Sequence, residues 1–203
     1  MKKESLIPAV VVGLAVLAVG RMSDAQGAAV NDAEKPRFTS DGKLPAPKNY
    51  REWIFLSSGL GMTYGPLSNA ASMPDDPQFD NVFVNPSAYH SFLKTGVWPE
   101  NTTLVLEVRG SASRSSINKG GRSQQDVQGI EVEVKDSKRF PGKWAFFDMS
   151  DGVASARPFG PLEDCYVCHS ANGAVDNTFV QFYPTLIKVA RDRGTFHVEK
   201  TAE

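Results

Sequence analysis

The chain has 203 residues, with 22 lysines and arginines against 23 aspartates and glutamates, so its formal net charge at pH 7 is -1. A nearly neutral chain creates no overall electric field that attracts nucleic acid or an anionic membrane surface, so we expect neither as a partner. Without the N-terminal segment described next, about 175 residues remain, which suits one domain with a sizeable core.

The N-terminus has the order of a secretory signal peptide. Lys2 and Lys3 precede an apolar run over residues 6–20, and small residues follow. The run of about 15 residues is shorter than the roughly 20 that a stable membrane-spanning helix needs. We therefore predict that residues 1–27 are a signal peptide, with an approximate cleavage site, and that the mature protein is periplasmic without a membrane span. An uncleaved anchor is the alternative, and it too places the domain outside the cytoplasm.

The next two segments lead from an extended stretch into the predicted domain, residues 49–203. Prolines and scattered charges over residues 28–48 indicate an extended N-terminal segment. The apolar, aromatic residues 50–62 suit either a strand or a short helix. Proline, aspartate and asparagine over residues 63–77 indicate a loop, and the β-branched and aromatic residues 79–85 predict a strand.

One helix and several strands follow. Pro86 near the start and Gly96 as the stop predict a helix over residues 86–94. Strands are predicted over residues 102–110, 127–136 and 143–149, and the Ser, Gly and Arg-rich residues 110–123 predict a loop between the first two. Successive strands with one helix between them predict an α+β fold, a mainly antiparallel sheet with a few helices.

Both cysteines stand in the stretch CYVCH, which three chemistries share. A thioredoxin-type pair opens a helix within a βαβ pattern, which is missing here. Zinc needs a fourth ligand, and His90 and His197 lie far away in the sequence. C-x-x-C-H is instead typical of covalent haem attachment, in which Cys165 and Cys168 bond the vinyl groups and His169 ligates the iron. We predict one haem c; a disulfide or redox pair and a metal site stay as alternatives.

The ligand opposite His169 would decide between electron transfer and small-molecule chemistry. The candidates for a sixth ligand are Met62, Met73, Met149, His90 and His197. None is favoured by its position, since methionine is more often an apolar filler and a terminal histidine often lies in a frayed tail. We therefore expect an open distal site that binds small molecules, with a six-coordinate electron-transfer cytochrome as the alternative.

Several short sequence motifs along the chain resemble those of the cytochrome P460 family, which includes the cytochromes c′-beta. They are PKNYREW at 47–53, VNPSAYHSFLKTG at 84–96, GIEVEVKDSKRF at 129–140, WAFF at 144–147 and CYVCHSANGAVDNTFVQFYPTL at 165–186. C-x-x-C-H alone occurs in every c-type cytochrome. Its combination with F-x-x-F-Y-P and with the distant NYREW is much more specific.

The resemblance implies a small periplasmic homodimer in which an antiparallel sheet forms one wall of the haem pocket. It implies a five-coordinate iron with His169 on one side and an open distal site on the other. It also implies hydroxylamine or nitric oxide as the small-molecule ligand, because P460 members oxidise hydroxylamine and c′-beta members bind nitric oxide. A small redox protein is a candidate partner.

One position divides the two groups within the family. P460 proteins carry a lysine, in the strand after K-T-G, that is joined covalently to the haem edge, and our matching places Leu106 there. Leucine has no nucleophile, so we expect no cross-link, which favours a c′-beta-like nitric oxide binder over a hydroxylamine oxidoreductase of P460 type. Lys94 on the preceding helix would serve only in another register.

Further residues are candidates for lining the haem pocket, although each also suits an ordinary structural role. Glu131 and Glu133 lie on the strand that the family places near the distal face, where a carboxylate can relay protons, and we select Glu131. Their alternation with valine and isoleucine equally describes the polar face of a strand. Four phenylalanines are candidates for a lid over the iron, although most of the 12 phenylalanines must be core: Phe79, Phe83, Phe146 and Phe147.

Overall fold

The computed structural model describes residues 29–63, 76–113 and 116–197. The predicted signal peptide and Met73 lie outside these residues. The strands are β1 (Leu44–Pro45), β2 (Ile54–Leu60), β3 (Phe79–Val84), β4 (Thr103–Ala112), β5 (Ser123–Lys135), β6 (Trp144–Asp148) and β7 (Ser155–Ala156). The α-helices are α1 (Pro86–Thr95), α2 (Asp164–Asn172) and α3 (Pro184–Asp192). Within this part of the chain, none of the helices combines the length and apolarity needed to cross a bilayer.

The α+β prediction is confirmed. Five strands form one sheet in the order β2-β3-β4-β5-β6, with every neighbouring pair antiparallel, and β1 and β7 form a second, two-stranded sheet. Because each strand pairs with the next one along the chain, the large sheet is a meander, and α1 is the connection between β3 and β4. Helix α1 begins at Pro86 and ends before Gly96, whose φ of 74° places it in the left-handed region that glycine tolerates.

Two sequence predictions differ from the structure in their details. Residues 50–62 are neither all strand nor all helix, since a 3-10 turn at Tyr50–Glu52 precedes β2. The predicted loop over residues 110–123 is wrong at both ends, because β4 continues to Ala112 and pairs with β5 from Ser123 onward. Backbone hydrogen bonds hold these ends of β4 and β5 together. Their side chains are mostly polar, so the sequence there shows no alternation of apolar and polar residues that would predict a strand.

Strand alternation divides the large sheet into two faces. One row of directly paired residues is Val84, Leu104, Glu133 and Phe146, and these define what we call the helix-side face. Val84, Leu104 and Phe146 pack in one core cluster with residues of α1 and α3. The other side, which we call the outer face, carries a second buried cluster that includes Val105, Val132, Val134, Phe147 and Met149.

A buried carboxylate ties the N-terminal 3-10 turn to the outer face. The Glu107 side chain is only 2% exposed and accepts hydrogen bonds from Tyr50 Oη, from Arg51 Nε at 2.7 Å and from Arg109 Nε. Burial works to raise the pKa of Glu107, but the hydrogen bonds from Arg109, Tyr50 and Arg51 outweigh it, so its pKa is lowered. Glu107 is therefore an ionised anchor for the segment that precedes β2.

We expect Glu107→Gln to destabilise the fold by about 2 kcal/mol, less than a fully buried pair would cost, because both arginines can turn toward solvent. Since the folded-state pKa of Glu107 is lowered, its contribution is present above the unfolded-state pKa and is lost as the pH falls through the folded-state pKa. Urea unfolding at pH 7 and at low pH measures both effects. Glu52→Gln, on the same turn but exposed, is the control, and equal stability of the two variants would contradict the prediction.

Candidate haem-binding site

Helix α2 places the two cysteines and the histidine of CYVCH together. Positions three and four apart share one face of a helix, so Cys165, Cys168 and His169 project from the same side of α2. Asp164 in the first turn complements the positive end of the helix dipole, and the helix ends before Gly173. All three side chains are half-buried. The motif is thus a preformed set of two sulfur atoms and one imidazole.

The Cys165 thiol does not have the lowered pKa of a redox-active cysteine. Both cysteines are free. Burial raises the pKa of Cys165 to about 11, with further contributions from the carboxylates of Glu131, Asp148 and Asp164. Redox-active thiols of the C-x-x-C type have lowered pKa values instead. Cys165 is therefore protonated at neutral pH, which argues against the disulfide-exchange alternative.

His169 is held in one orientation and one tautomer. Its Nδ1 lies 3.0 Å from the backbone carbonyl oxygen of Asn177, which can only accept, so Nδ1 carries the proton. The ring lies between Phe146 and Phe179, with centroid distances of 4.4 and 4.2 Å. In the neutral ring Nε2 therefore keeps its lone pair, which is the state that an iron ligand requires.

The Nε2 atom of His169 faces a buried carboxyl group on the helix-side face. Glu133 Oε1 lies 3.6 Å from Nε2, beyond hydrogen-bond distance, and Glu133 Oε2 is buried without a hydrogen-bond partner among the described residues. Burial raises the pKa of Glu133, and His169 opposes this only in part. A polar atom without a partner beside a free imidazole lone pair indicates that another group completes this site.

Glu131 and Leu106 lie opposite each other on the same sheet face. The paired row next to that of Glu133 is Val82, Leu106, Glu131 and Asp148. Glu131 reaches solvent, yet the surrounding protein desolvates it, and its pKa is raised first by this desolvation and then by Asp148 and Glu133. Both predicted distal residues thus lie on the helix-side face, the face toward which His169 points.

These residues fit a c-type haem better than they fit a zinc ion. The donor set is two free thiols and one imidazole with an unprotonated Nε2, beside the aromatic rings of Phe146 and Phe179. In residues 29–63, 76–113 and 116–197, no group of three His, Cys, Asp or Glu side chains could hold a metal ion. Cys165, Cys168 and His169 are therefore the residues that would hold the haem.

The structure separates three of the candidates for a sixth ligand from this site. Met149 is 2% exposed and packs in the outer-face cluster. His90 is exposed on α1 against the ring of Tyr89, and His197 is exposed. Met62 follows β2 with its side chain over Gly59. Met149, His90 and His197 thus lie away from His169, whereas Met62 lies near Asp80 on the helix-side face.

Most of the predicted aromatic lid lies on the wrong side of the sheet. Phe83 and Phe147 pack in the outer-face cluster, and alternation along β3 places Phe79 on the same face as Phe83. Phe146 does reach the site, where it contacts His169. Sequence reasoning missed Phe179, which contacts the other side of the His169 ring; the F-x-x-F-Y-P word that begins at this residue was the available signal.

A comparison with protein families gives a match that covers most of the chain. The family model described as cytochrome P460 matches residues 47–180, about two-thirds of the chain. The match begins at the PKNYREW word and includes Leu106, Glu131 and the whole CYVCH motif. Among the curated proteins, none matches this chain.

Proposed function

The chain belongs to the cytochrome P460 family, and from that premise we propose that it is an exported c-type haem protein with an open distal iron site for nitric oxide or hydroxylamine. The family indicates a haem protein that acts on nitrogen compounds. Our proposal adds the covalent attachment, the periplasmic location, the open site and the ligand. The observation that carries it is the fixed His169, with its Nδ1 tethered to Asn177 and its Nε2 lone pair free beside two cysteines.

Each residue of the site has a distinct task in this proposal. The haem, when bound, supplies an iron that binds a nitrogen oxide and exchanges electrons with it. Cys165 and Cys168 hold the macrocycle covalently, and His169 ligates the iron. Leu106 lines an apolar wall that limits water, and Glu131 accepts protons from a substrate that loses them.

Two features support an open distal site over a six-coordinate electron carrier. Three of the described candidates lie away from the site: Met149 on the outer face, His90 on the surface of α1 and His197 on the C-terminal surface. The helix-side face instead carries carboxylates and apolar side chains there. Carboxylates can transfer protons, and they compete poorly with nitrogen oxides for a coordination position on haem iron.

Leu106 makes a nitric oxide binder the first choice within this proposal. Lys135 also lies on the helix-side face, but its ammonium group is bonded to Asp176 and to Trp98 O, so it is not a free amine for a haem cross-link. Hydroxylamine oxidation is the second candidate, and the paired carboxyl groups of Glu131 and Asp148 favour it. A homodimer and a small redox protein as electron acceptor are proposals that rest on the family resemblance.

Absorption spectra of the purified protein in both oxidation states test the proposal. We expect a high-spin ferric spectrum and a ferrous form that binds nitric oxide. A low-spin ferric spectrum without added ligand would instead establish the six-coordinate electron carrier. Steady-state oxidation of hydroxylamine with an artificial electron acceptor then separates an enzyme from a nitric oxide binder.

A further inference from the structure

We propose that Lys135 is a positioning residue for His169, which acts through the hairpin that carries Asn177 and so sets the reduction potential of the iron. The inference rests on the proposed function in one respect, since it requires His169 to be the iron ligand. It assigns a role to a lysine that lies outside the C-x-x-C-H motif, at the C-terminal end of β5.

Lys135 connects the sheet directly to this hairpin. It is the last residue of β5 and lies on the helix-side face, with its side chain 11% exposed. Its Nζ donates to the backbone carbonyl oxygen of Trp98 at 2.8 Å and to the carboxylate of Asp176. The Asp176 side chain is 25% exposed, so the pair is largely removed from water, where an ion pair holds its partners more firmly than at the surface.

The hairpin has a tight two-residue turn that is held by contacts from outside. Asp176 and Asn177 have φ values of 50° and 65°, in the left-handed region that aspartate and asparagine adopt more readily than other non-glycine residues. Val175 and Thr178 close the turn by pairing across it. Two side chains then hold it from outside, because Trp98 Nε1 donates to Thr178 Oγ1 at 2.8 Å and Lys135 bonds Asp176.

The hairpin approaches α2 closely at Asn177. A Cβ atom on Gly173 would lie 2.6 Å from the backbone carbon of Asn177, so the two segments touch at a point where a side chain cannot fit. The carbonyl group that accepts the hydrogen bond from His169 Nδ1 belongs to Asn177, the residue that follows Asp176. Release of Asp176 would let this carbonyl move away from the imidazole.

The hydrogen bond on Nδ1 controls how strongly the imidazole donates electrons to a metal. A carbonyl acceptor on Nδ1 raises the basicity of Nε2, and a more basic ligand favours the ferric over the ferrous state. Weakening of this bond should therefore shift the reduction potential to more positive values and weaken the iron–histidine bond. A lysine that served only the stability of the fold would change neither quantity.

The test compares Lys135→Met with Lys135→Arg and Asp176→Asn in the haem-loaded protein. For Lys135→Met we expect the ferric-to-ferrous ratio at a fixed potential to fall by up to about tenfold, which is about 59 mV for one electron. We also expect a lower iron–histidine stretching frequency in the resonance Raman spectrum and faster amide hydrogen exchange at Thr178. Asp176→Asn should shift the potential in the same direction, and Lys135→Arg should restore most of the wild-type value.

Lys188→Met is the matched control, because Lys188 forms an exposed ion pair with Asp192 on α3. A Lys135→Met protein that carries haem and has the potential and stretching frequency of this control would overturn the inference. If Lys135→Met does not fold, an unchanged potential in Asp176→Asn overturns it equally. If His169→Met leaves the wild-type spectrum unchanged, His169 is not the ligand, and the proposed function fails separately.

Discussion

Replacement of Cys165 and Cys168 together by alanine is expected to abolish covalent haem attachment. The two sulfur atoms lie on the same face of α2 as His169, so each can reach one edge of a macrocycle whose iron His169 ligates. Without them, haem is held only by the bond to His169 and by packing, and denaturation removes it. A haem stain after denaturing electrophoresis should be positive for the wild type and blank for the double variant.

The single variants are the controls for this result. Cys165→Ala and Cys168→Ala each leave one sulfur, so each should retain a fraction of covalently bound haem with one thioether link. Mass spectrometry of the haem peptide after digestion of the wild type should show two links, to Cys165 and Cys168. A third link to any lysine would contradict the assignment of Leu106, and a haem-stained double variant would contradict the attachment itself.

Local sequence signals were sufficient for much of the fold. Pro86 and Gly96 define the ends of α1 because both act through their own backbone conformation. The alternation over residues 127–136 identified the buried half of β5. The C-x-x-C-H spacing predicted that Cys165, Cys168 and His169 share one face of α2, because residues three and four apart lie on the same side of a helix.

Contacts between distant segments were beyond the sequence. Lys135 and Asp176 are 41 residues apart, and His169 meets a carbonyl of Asn177. A backbone acceptor has no residue signature, so no pattern could have indicated it. Alternation likewise predicts that Phe146 and Phe147 point to opposite faces, but it does not identify the face that meets α2.

The choice between Glu131 and Glu133 also depended on the structure. Both lie on the helix-side face, but Glu133 is half-buried beside His169 with its Oε2 atom fully buried, whereas Glu131 reaches solvent beside Asp148. A proton relay must exchange protons with water as well as with the substrate, and a buried carboxyl group without a hydrogen-bond partner does this poorly. The position of Glu131 therefore favours it as the relay, and Glu133 is better placed to line the site.

If steady-state assays establish the second candidate function, hydroxylamine oxidation, Glu131→Gln is expected to slow it by about 100-fold, a typical contribution of one general acid–base group, while covalent haem content stays unchanged. Although Glu131 reaches solvent, desolvation by the surrounding protein raises its pKa, followed by repulsion from Asp148 and Glu133, with a smaller effect of Asp80 on β3 and opposition from His169 on α2. Because the ionised carboxylate is the base, wild-type turnover should rise with pH through this raised pKa, and the glutamine variant should show no such rise.

Asp148→Asn provides a second measurement on the same group. Removal of the neighbouring negative charge should lower the pKa of Glu131, so the rising limb of the pH–rate profile should move to lower pH. Asp126 is exposed on β5, the strand that carries Glu131, so Asp126→Asn should leave both the rate and the pH–rate profile unchanged. A Glu131→Gln protein with the wild-type rate and profile would show that Glu131 is only a polar residue of β5, and proton transfer would then have to reach solvent by a route that does not use this strand.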